Sequence, residues 1–358
     1  MPLARPLIAA LALLAALVPA CTTVNPYFDP SKPHHTPAGF RNLHAQIPAG
    51  GWGRFLKWKI EEWRTGVPRP PANGYRFPTA QPDLALLHSN PGAPSMTWIG
   101  HATLLMQIGG VNILTDPHFS ARASPFSFTG PERKFPPGMT IEQLPHIDAV
   151  LISHNHYDHL DEETVMRLAA QAGGAPQFFV PLGVKPWFDE RGIASVTELD
   201  WWDSREFRGL AVHFLPVQHW SRRTLFNTNR TLWGAWAVIA PQLRFIFIGD
   251  AGYSQDFRDI RARLGSFDLA AIPIGHYLPR WFMAPQHVDP EQAVQVHRDL
   301  GARYSVGVHW GVFELTDEPL DEPPQKLAEA RAQAGIPEDR FFVMKFGETR
   351  KLDFLLKP

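Results

Sequence analysis

The segment His154-Asn155-His156-Tyr157-Asp158-His159 places three histidines and an aspartate within six residues. It follows the apolar run 149–153 and precedes a helical pattern, so we expect it in a loop at the end of a strand. Burying so many polar side chains together would be costly without a compensating cation. Neutral imidazole and carboxylate are ligands that zinc accepts when no thiolate is available. The segment therefore predicts a metal site.

One loop cannot complete two coordination shells, so further ligands must come from other strand ends. Three later apolar runs each lead into a histidine or an aspartate, namely His219, Asp250 and His309. A single histidine after a strand is more often a packed edge residue than a ligand. Three such residues in a chain that already holds the histidine loop favour a shared metal centre.

The composition limits what the protein can bind. The 358 residues include 16 histidines and one cysteine, Cys21, so neither an intramolecular disulfide nor a thiolate cluster can form. The formal net charge of −1 gives no overall basic field and argues against a nucleic-acid partner. With 44% hydrophobic residues, the chain can bury a substantial core.

The N-terminus has the pattern of a bacterial export signal. Arg5 precedes an apolar run that is too short for a permanent membrane span, and residues 1–20 are predicted to be a signal peptide. Small residues before Cys21 resemble a lipobox, which predicts lipidation of this cysteine and a periplasm-facing lipoprotein of the cell envelope, with the outer membrane as one location. Ordinary signal-peptidase cleavage is the alternative.

The remaining chain is predicted to form a tether or wrapping segment over 21–50 and one α/β domain over 51–358 with two stacked sheets. A helix is expected near 51–63, with Trp52, Phe55, Leu56, Ile60 and Trp63 on one face that packs on the domain; a membrane-facing surface is the alternative. Apolar runs predict strands at 97–99, 104–108, 111–114, 149–153, 178–181, 212–216, 233–240, 244–249, 269–273, 304–308 and 341–345. Helices are predicted at 162–172, 290–300 and 324–334.

The histidine loop is the HxHxDH signature of the metallo-β-lactamase superfamily. Further segments resemble the N-acylphosphatidylethanolamine-hydrolysing phospholipase D family: 98–103 (WIGHAT), 114–117 (LTDP), 199–202 (LDWW), 218–220 (QHW), 249–253 (GDAGY), 267–275 (FDLAAIPIG), 279–283 (PRWFM), 286–290 (QHVDP) and 309–311 (HWG). The resemblance extends over about residues 50 to 352. It implies an αββα sandwich of two mixed sheets flanked by helices.

The resemblance also implies a role for each site residue. His154, His156 and His219 would bind one zinc ion, Asp158, His159 and His309 a second, and Asp250 would bridge both. Asp250 and Asp158 would thereby act in catalysis, and His287 would assist the leaving group. Asp116 is interpreted as a partner that orients a ligand histidine, or as a turn residue. His101, His118 and His276 are interpreted as packed or surface histidines, and Trp281-Phe282-Met283 as an acyl-chain groove or ordinary loop packing.

The function that follows is hydrolysis of N-acylphosphatidylethanolamine-like phospholipids to phosphatidic acid and N-acylethanolamine by metal-activated water. The expected partners are this phospholipid and a membrane surface reached through the lipid anchor, and a homodimer is compatible with the sequence. A dinuclear zinc lactonase or β-lactamase, or a non-catalytic metal-binding envelope lipoprotein, are the alternatives.

Overall fold

The computed structural model describes residues 24–47, 51–68, 70–90 and 92–355, so the predicted signal peptide and Cys21 lie outside the described residues. Within them the strands are β1 His35–Thr36, β2 Gly39–Phe40, β3 Ser95–Gly100, β4 Thr103–Ile108, β5 Val111–Thr115, β6 Ala149–Leu151, β7 Gln177–Pro181, β8 Val196–Leu199, β9 Ser204–Phe207, β10 Leu210–Leu215, β11 Ala235–Ile239, β12 Arg244–Phe247, β13 Leu269–Pro273, β14 Tyr304–Val308, β15 Phe341–Phe342 and β16 Thr349–Lys351. The helices are α1 Gly51–Thr65, α2 Leu84–Ser89, α3 Glu162–Ala169, α4 Lys185–Asp189, α5 Asp256–Leu264, α6 Arg280–Met283, α7 Pro290–Asp299 and α8 Glu322–Gln333.

Two seven-stranded mixed sheets form the centre of the fold. The first has the order β16-β3-β4-β5-β6-β7-β8 and the second the order β15-β14-β13-β12-β11-β10-β9. In the first, β5 to β8 run parallel while β16, β3 and β4 pair antiparallel; in the second, β12 to β15 run parallel while β9 to β12 pair antiparallel. The predicted fold of two stacked mixed sheets flanked by helices is confirmed.

Successive side chains along a strand point to opposite faces of the sheet, and here both faces are buried. In the first sheet Leu104 and Leu151 face the second sheet and join the larger core. Their neighbours Leu105 and Val150 face the other way, into a smaller core with side chains of α2 and α3. A sheet that is covered on both faces has no polar side, which explains why these strands appear in the sequence as continuous apolar runs. The larger core joins the two sheets face to face.

Strand direction brings the ends of several strands to one edge of the sandwich. The antiparallel pairs β10–β11 and β11–β12 make β10 and β12 parallel in direction, and β13 and β14 follow β12. By the same logic β3, β5 and β6 end together in the first sheet. Side chains that follow these strands therefore meet at one edge of the sandwich, as they do in other α/β folds.

Residues 24–47, called here the N-terminal strap, pack against loops of the sandwich, namely the turn at Asp200 between β8 and β9 and the segment between β10 and β11. The pair β1–β2 forms a short hairpin within the strap. Asp200 lies at the centre of its attachment: its buried carboxylate contacts Lys32, accepts from His34 Nε2 at 2.7 Å and from His35 Nε2 at 2.9 Å. The strap is thus an ordered part of the fold, joined by buried polar contacts to residues more than 150 positions away.

Helix α1 is present, but the prediction that Leu56, Ile60 and Trp63 pack on the domain is wrong; the side chain of Trp52, also assigned to that face, lies outside the described part of the chain. Leu56, Ile60 and Trp63 are 60%, 45% and 85% exposed. The buried residue is Trp58, whose ring packs on Phe282 at 5.1 Å and whose Nε1 donates to Asp317. The Trp58 indole attaches the helix through both its ring and its N–H, and the face with Leu56, Ile60 and Trp63 points outward. Among the described helices, none has the length and apolar character to cross a bilayer.

Candidate metal centre

The histidine loop begins where β6 ends at Leu151 and stops before α3 starts at Glu162. The His154, Asp158 and His159 side chains are buried, and the loop closes with Leu160 N donating to His156 O at 2.9 Å. This turn directs His159 back towards the edge of the sandwich. The structure thereby buries three of the four predicted polar side chains of this segment, and His156 is half-buried.

A first group of side chains comprises His154, His156, His219 and Asp250, whose nearest ligand atoms all lie within 4.8 Å of one another. His154 Nε2 lies 2.8 Å from His156 Nδ1 and 3.8 Å from Asp250 Oδ2. His219 Nε2 also lies 3.8 Å from Asp250 Oδ2. These are the residues that the sequence assigns to one ion together with the bridging aspartate.

A second group comprises His101, Asp158, His159 and His309, again with ligand atoms within 4.8 Å of one another. His159 Nε2 lies 3.1 Å from His309 Nε2, and Asp158 Oδ2 lies 3.3 Å from His159 Nε2 and 3.4 Å from His309 Nε2. Three of the four residues are those assigned to the second ion. The fourth, His101, was interpreted as a packed or surface histidine, and its Nε2 lies 3.1 Å from Asp158 Oδ2.

Asp250 lies between the two groups. Its carboxylate is 3.8 Å from His154 and His219 of the first group, and 3.1 Å from His159 and 2.9 Å from His309 of the second. The structure thus brings all seven predicted ligands together, with the one predicted bridge in the central position. Their roles as ligands stay predictions.

The tautomers of three histidines suit a cation. The hydroxyl of Ser153 donates its proton to Asp116, so His154 Nδ1 must be the donor in its hydrogen bond with Ser153 Oγ. His159 Nδ1 donates to Asp116 Oδ2 at 2.6 Å. His219 Nδ1 donates to the Gln286 carbonyl at 2.9 Å. In the neutral rings of His154 and His219 the lone pair is therefore on Nε2, the atom that faces the other ligands, and the same holds for His159 once it has lost its second proton.

A buried polar atom without a partner also points to a missing ion. His219 Nε2 faces Asp250 and has no hydrogen-bond partner although it is buried. Such atoms are rare in native structures because an unpaired buried polar group costs free energy. Imidazole nitrogens with carboxylate oxygens, in two overlapping groups of four, form a donor set that fits two divalent cations such as Zn²⁺.

Burial and the neighbouring charges favour the protonation states of these side chains that bind metals. Burial lowers the pKa of His156 to about 3 and that of His219 to about 4. Burial raises the pKa of Asp250, but His159 and His309 outweigh it and hold that pKa well below its ordinary value. Neutral imidazole and ionised carboxylate are the forms that bind metals.

His159 is the exception in the absence of an ion. Burial lowers its pKa, but Asp250, Asp158 and Asp116 outweigh that effect and raise the pKa of His159 well above its ordinary value. Its proton supplies positive charge to three carboxylates. A bound divalent cation would supply that charge instead, so metal binding is expected to release this proton.

Asp116 follows β5 and lies beneath the centre. Besides accepting from His159, its carboxylate accepts from Ser153 N at 2.7 Å and from Ser153 Oγ at 2.5 Å. It thus contacts His159 directly and His154 through Ser153. The structure places Asp116 where it can orient both histidines, which is the first of the two interpretations given by the sequence.

The backbone at this edge is tight and sharply turned. A Cβ on Gly249, which has φ +66°, would lie 2.5 Å from Ser153 Cβ, so only glycine allows the end of β12 to approach the histidine loop. His101, Asp116 and His309 have φ of +52°, +33° and +63°. Residues other than glycine rarely adopt this region, and those that do cluster at functional sites. The turn after each strand directs its side chain into the centre.

His287 lies at the rim of the centre. Its Nδ1 is 3.9 Å from Asp250 Oδ2, its ring centroid is 5.4 Å from that of His219, and its side chain is 12% exposed. The nearby short helix α6 does not present an open groove. Phe282 packs on Trp58, and the Trp281 indole donates to Glu61. These contacts agree with the loop-packing interpretation of Trp281-Phe282-Met283.

Sequence reasoning missed several residues next to the centre. His276 is buried with its ring 4.4 Å from that of His309, and His118 is buried beside Asp161 and Arg133. Asn42, in the strap, hydrogen-bonds the backbone of His219. The WIGHAT segment was a signal for His101, but nothing in the pattern around Asn42 indicated a role.

Comparison with known proteins agrees with this geometry. A family model described as "Beta-lactamase superfamily domain" matches residues 111–310. The chain is 44% identical over 264 residues to N-acyl-phosphatidylethanolamine-hydrolyzing phospholipase D 1 of Caenorhabditis elegans, covering 70% of this chain and 74% of that one. It is 35% identical to the mitochondrial N-acyl-phosphatidylethanolamine-hydrolyzing phospholipase D of Saccharomyces cerevisiae, covering 72% of this chain and 56% of the yeast protein.

Solved structures share the fold. A protein of Veillonella parvula described as "a possible metal-dependent hydrolase" matches with a TM-score of 0.58 at 17% identity, covering 73% of this chain and all of that one. Isothiocyanate hydrolase from Delia radicum gut bacteria matches with a TM-score of 0.56 at 19% identity, covering 72% and 98%. The chain is a metal-dependent hydrolase of the β-lactamase superfamily and belongs to the N-acyl-phosphatidylethanolamine-hydrolysing phospholipase D family.

Proposed function

We propose that this hydrolase cleaves N-acylphosphatidylethanolamine-like phospholipids to phosphatidic acid and N-acylethanolamine, with two zinc ions as cofactors. The observation that carries the proposal is the position of Asp250 between two groups of ligand side chains. A structural zinc site is usually closed with four ligands and needs no shared carboxylate. The substrate is inferred from the relatives at 44% and 35% identity, whose names state this activity.

The chain's own residues would perform three tasks in this reaction. His154, His156 and His219 would hold one ion, Asp158, His159 and His309 the other, and Asp250 would contact both. When bound, such ions lower the pKa of water and stabilise the negative charge on a phosphate. Water adds to phosphorus, the bond from phosphorus to the ethanolamine oxygen breaks, and that oxygen leaves as the hydroxyl of N-acylethanolamine.

His287 is placed to handle a proton in this step. Its Nδ1 is buried without a hydrogen-bond partner and lies beside Asp250, at the rim where a substrate would enter. Its main chain is fixed, because the His287 carbonyl accepts from Arg280 Nη1 at 2.9 Å. Burial lowers the pKa of His287 well below its ordinary value, so the ring is neutral in the metal-free centre and would assist the departing oxygen through a hydrogen bond from its N–H.

The test is product analysis with purified protein, first assayed for metal content. We expect two zinc ions per chain and, from liposomes with N-acylphosphatidylethanolamine, phosphatidic acid and N-acylethanolamine by mass spectrometry. Asp250→Asn should reduce the rate at least about 100-fold, the scale on which electrostatic stabilisation of a transition state is lost. Asp259→Asn, on the partly exposed surface of α5, is the matched control and should keep the wild-type rate.

Two outcomes would contradict the proposal. One is a zinc-loaded protein that leaves the phospholipid intact and opens lactones or β-lactams instead. The other is an Asp250→Asn protein with the wild-type rate, which would mean that the centre does not perform the chemistry.

We also propose that the enzyme works at a membrane, as a lipoprotein anchored through Cys21 and facing the periplasm. Helix α1 supports this because Leu56, Ile60 and Trp63 point outward. The helix is attached to the turn α6 next to His287: Arg54 Nη2 donates to Trp281 O at 2.9 Å. Labelling of the protein by radioactive palmitate in cells, and its loss in Cys21→Ser, would test the anchor.

A further inference from the structure

His219 lies in a loop, where its backbone N–H and C=O are not paired within a helix or a sheet. Strand β10 ends at Leu215, so the peptide groups of His219, four residues later, have no strand partner. The residue is fully buried, and its N–H and C=O must be satisfied within the protein. Whatever group satisfies them also fixes where the imidazole points.

That group is the side chain of Asn42 in the strap. Asn42 Oδ1 accepts from His219 N at 3.0 Å, and Asn42 Nδ2 donates to His219 O at 3.0 Å. The same Oδ1 accepts from Trp233 Nε1 at 3.2 Å. One buried amide thus replaces both hydrogen bonds that a neighbouring strand would have made. Asn42 is 5% exposed.

The ring of His219 is held separately. Its Nδ1 donates to the Gln286 carbonyl, and its Nε2 faces the first group of ligands without a partner. The main chain and the ring are therefore fixed from opposite sides, the main chain by the strap and the ring by the loop that carries His287. Both the main chain and the ring of His219 must be held in place for Nε2 to reach an ion that is also bound by His154 and Asp250.

The strap is independently fastened, so Asn42 does not depend on His219 for its own position. Phe40 N donates to Asn229 O at 2.8 Å, and the Asp200 carboxylate binds Lys32, His34 and His35. A Cβ on Gly39 would lie 2.1 Å from Asn229 O, so the strap approaches this loop as closely as a glycine permits. Asn42 follows directly from this attached segment.

We propose that Asn42 is a positioning residue of the metal centre: the N-terminal strap sets the geometry of the first ion's site by holding the His219 backbone. The inference rests on the proposed metal-dependent function, but it concerns ion binding and not the substrate. Partners that orient a metal ligand typically contribute 10- to 100-fold in metal affinity or activity. The strap is then part of the catalytic unit, although its sequence has the composition of a linker.

The experiment compares Asn42→Ala with Asn25→Ala in the otherwise intact protein. Asn25 is the matched control because it is also a buried strap asparagine with three hydrogen bonds, to Tyr27 N, Thr36 O and Gly39 O. All of its partners lie within the strap. Asn25→Ala therefore weakens the strap itself and leaves the two hydrogen bonds to His219 in place.

Zinc is titrated into each metal-free protein in competition with a chromophoric chelator. We expect Asn42→Ala to weaken one of the two binding steps by about 10- to 100-fold and to leave the other within about threefold. Asn42→Asp, which still accepts from His219 N, should give an intermediate loss and covers the case in which the alanine variant does not fold. In cobalt-substituted protein, the visible spectrum of one ion should change and that of the other should not.

Equal affinities in wild type and both Asn42 variants would overturn the inference. So would an equal loss in Asn25→Ala, since the effect would then belong to strap stability in general. A wild-type protein that binds two ions but does not cleave the phospholipid would refute the proposed substrate and leave this inference intact. The two failures are therefore distinguishable.

Discussion

At the residue scale, the centre is organised by hydrogen bonds that leave one atom of each ligand free. The Nδ1 atom of His159 donates to Asp116, and that of His154 donates to Ser153 Oγ. The Nδ1 atom of His219 donates to a backbone carbonyl. Each ring thus presents Nε2 inward. The free energy that fixes these rings is supplied by fold contacts before any ion binds, which is how preorganised metal sites gain affinity.

Asp116 is the residue on which two of these rings depend. In Asp116→Asn, the amide cannot accept from His159 Nδ1, Ser153 N and Ser153 Oγ together, because one of its two terminal groups is now a donor. We expect zinc affinity to fall by about 10- to 100-fold, measured by competition with a chelator.

Asp161→Asn is the control for this prediction. Asp161 is also buried, follows the histidine loop, and accepts from Ser120 and Thr164 without contacting the seven predicted ligands. This variant should lose stability but keep its zinc affinity. Equal zinc affinity in Asp116→Asn and wild type would show that Asp116 is only a turn residue.

The sequence predicted the side chains that converge in the candidate metal centre better than most of the groups that hold them in place. The histidine loop and the three later ligands are recognisable because their types are costly to bury and their places follow apolar strands. Asn42 and the Gln286 carbonyl have no such signal, since an asparagine in a polar segment is ordinary and a carbonyl belongs to every residue. His101 lay inside a family motif, yet a lone histidine is more often packed than functional.

At the element scale, the apolar strands were predictable and the polar edge strands β8 and β9 were not. The predicted strand 244–249 overlaps β12, because the three buried apolar residues Phe245, Ile246 and Phe247 follow one another. Strands β8 and β9, with the sequences VTEL and SREF, lie at the sheet edges, and their side chains are mostly exposed or half-buried. A strand with a partner on one side only does not need an apolar sequence. Helix α1 was predicted, but its buried face was not.

The exposed face of α1 makes a prediction about membranes. In a Cys21→Ser protein, which cannot be lipidated, Leu56→Glu with Ile60→Glu should reduce binding to vesicles that contain anionic phospholipid by about tenfold or more. Burial of a Leu or Ile side chain is favourable by roughly 1.5–3 kcal/mol, and the α1 sequence also has four Lys and Arg against two Glu. Sedimentation with vesicles measures this.

The control is Met166→Glu. Met166 is 41% exposed on α3, whose buried residues Val165 and Leu168 pack on the outer face of the first sheet. Its replacement should leave vesicle binding unchanged. If the double α1 variant binds vesicles as strongly as its Cys21→Ser parent, the outward face of α1 has another purpose.

At the scale of the whole molecule, the metal centre joins parts of the chain that are distant in sequence. His154 and Asp158 follow a strand of the first sheet, whereas His219, Asp250 and His309 follow strands of the second. The strap adds Asn42 from the N-terminus. An ion bound here would connect the two sheets at one edge, where the continuous apolar core has ended and buried polar side chains take its place.

Metal removal should therefore destabilise the entire fold. A ligand present at 1,000 times its dissociation constant stabilises the native state by about 4 kcal/mol. An unfolding entropy of about 2.1 cal/mol/K per residue over roughly 300 residues means that each kcal/mol shifts the melting temperature by about 1.5 °C. We expect the zinc-loaded protein to melt about 6 °C above the same protein in excess chelator, by differential scanning calorimetry. Asp250→Asn, which lacks the carboxylate shared by both groups, should show less than half of this difference. A wild-type melting temperature that is the same with zinc and with chelator would mean that the seven side chains converge without binding an ion, because tight binding to the native state alone must raise its stability.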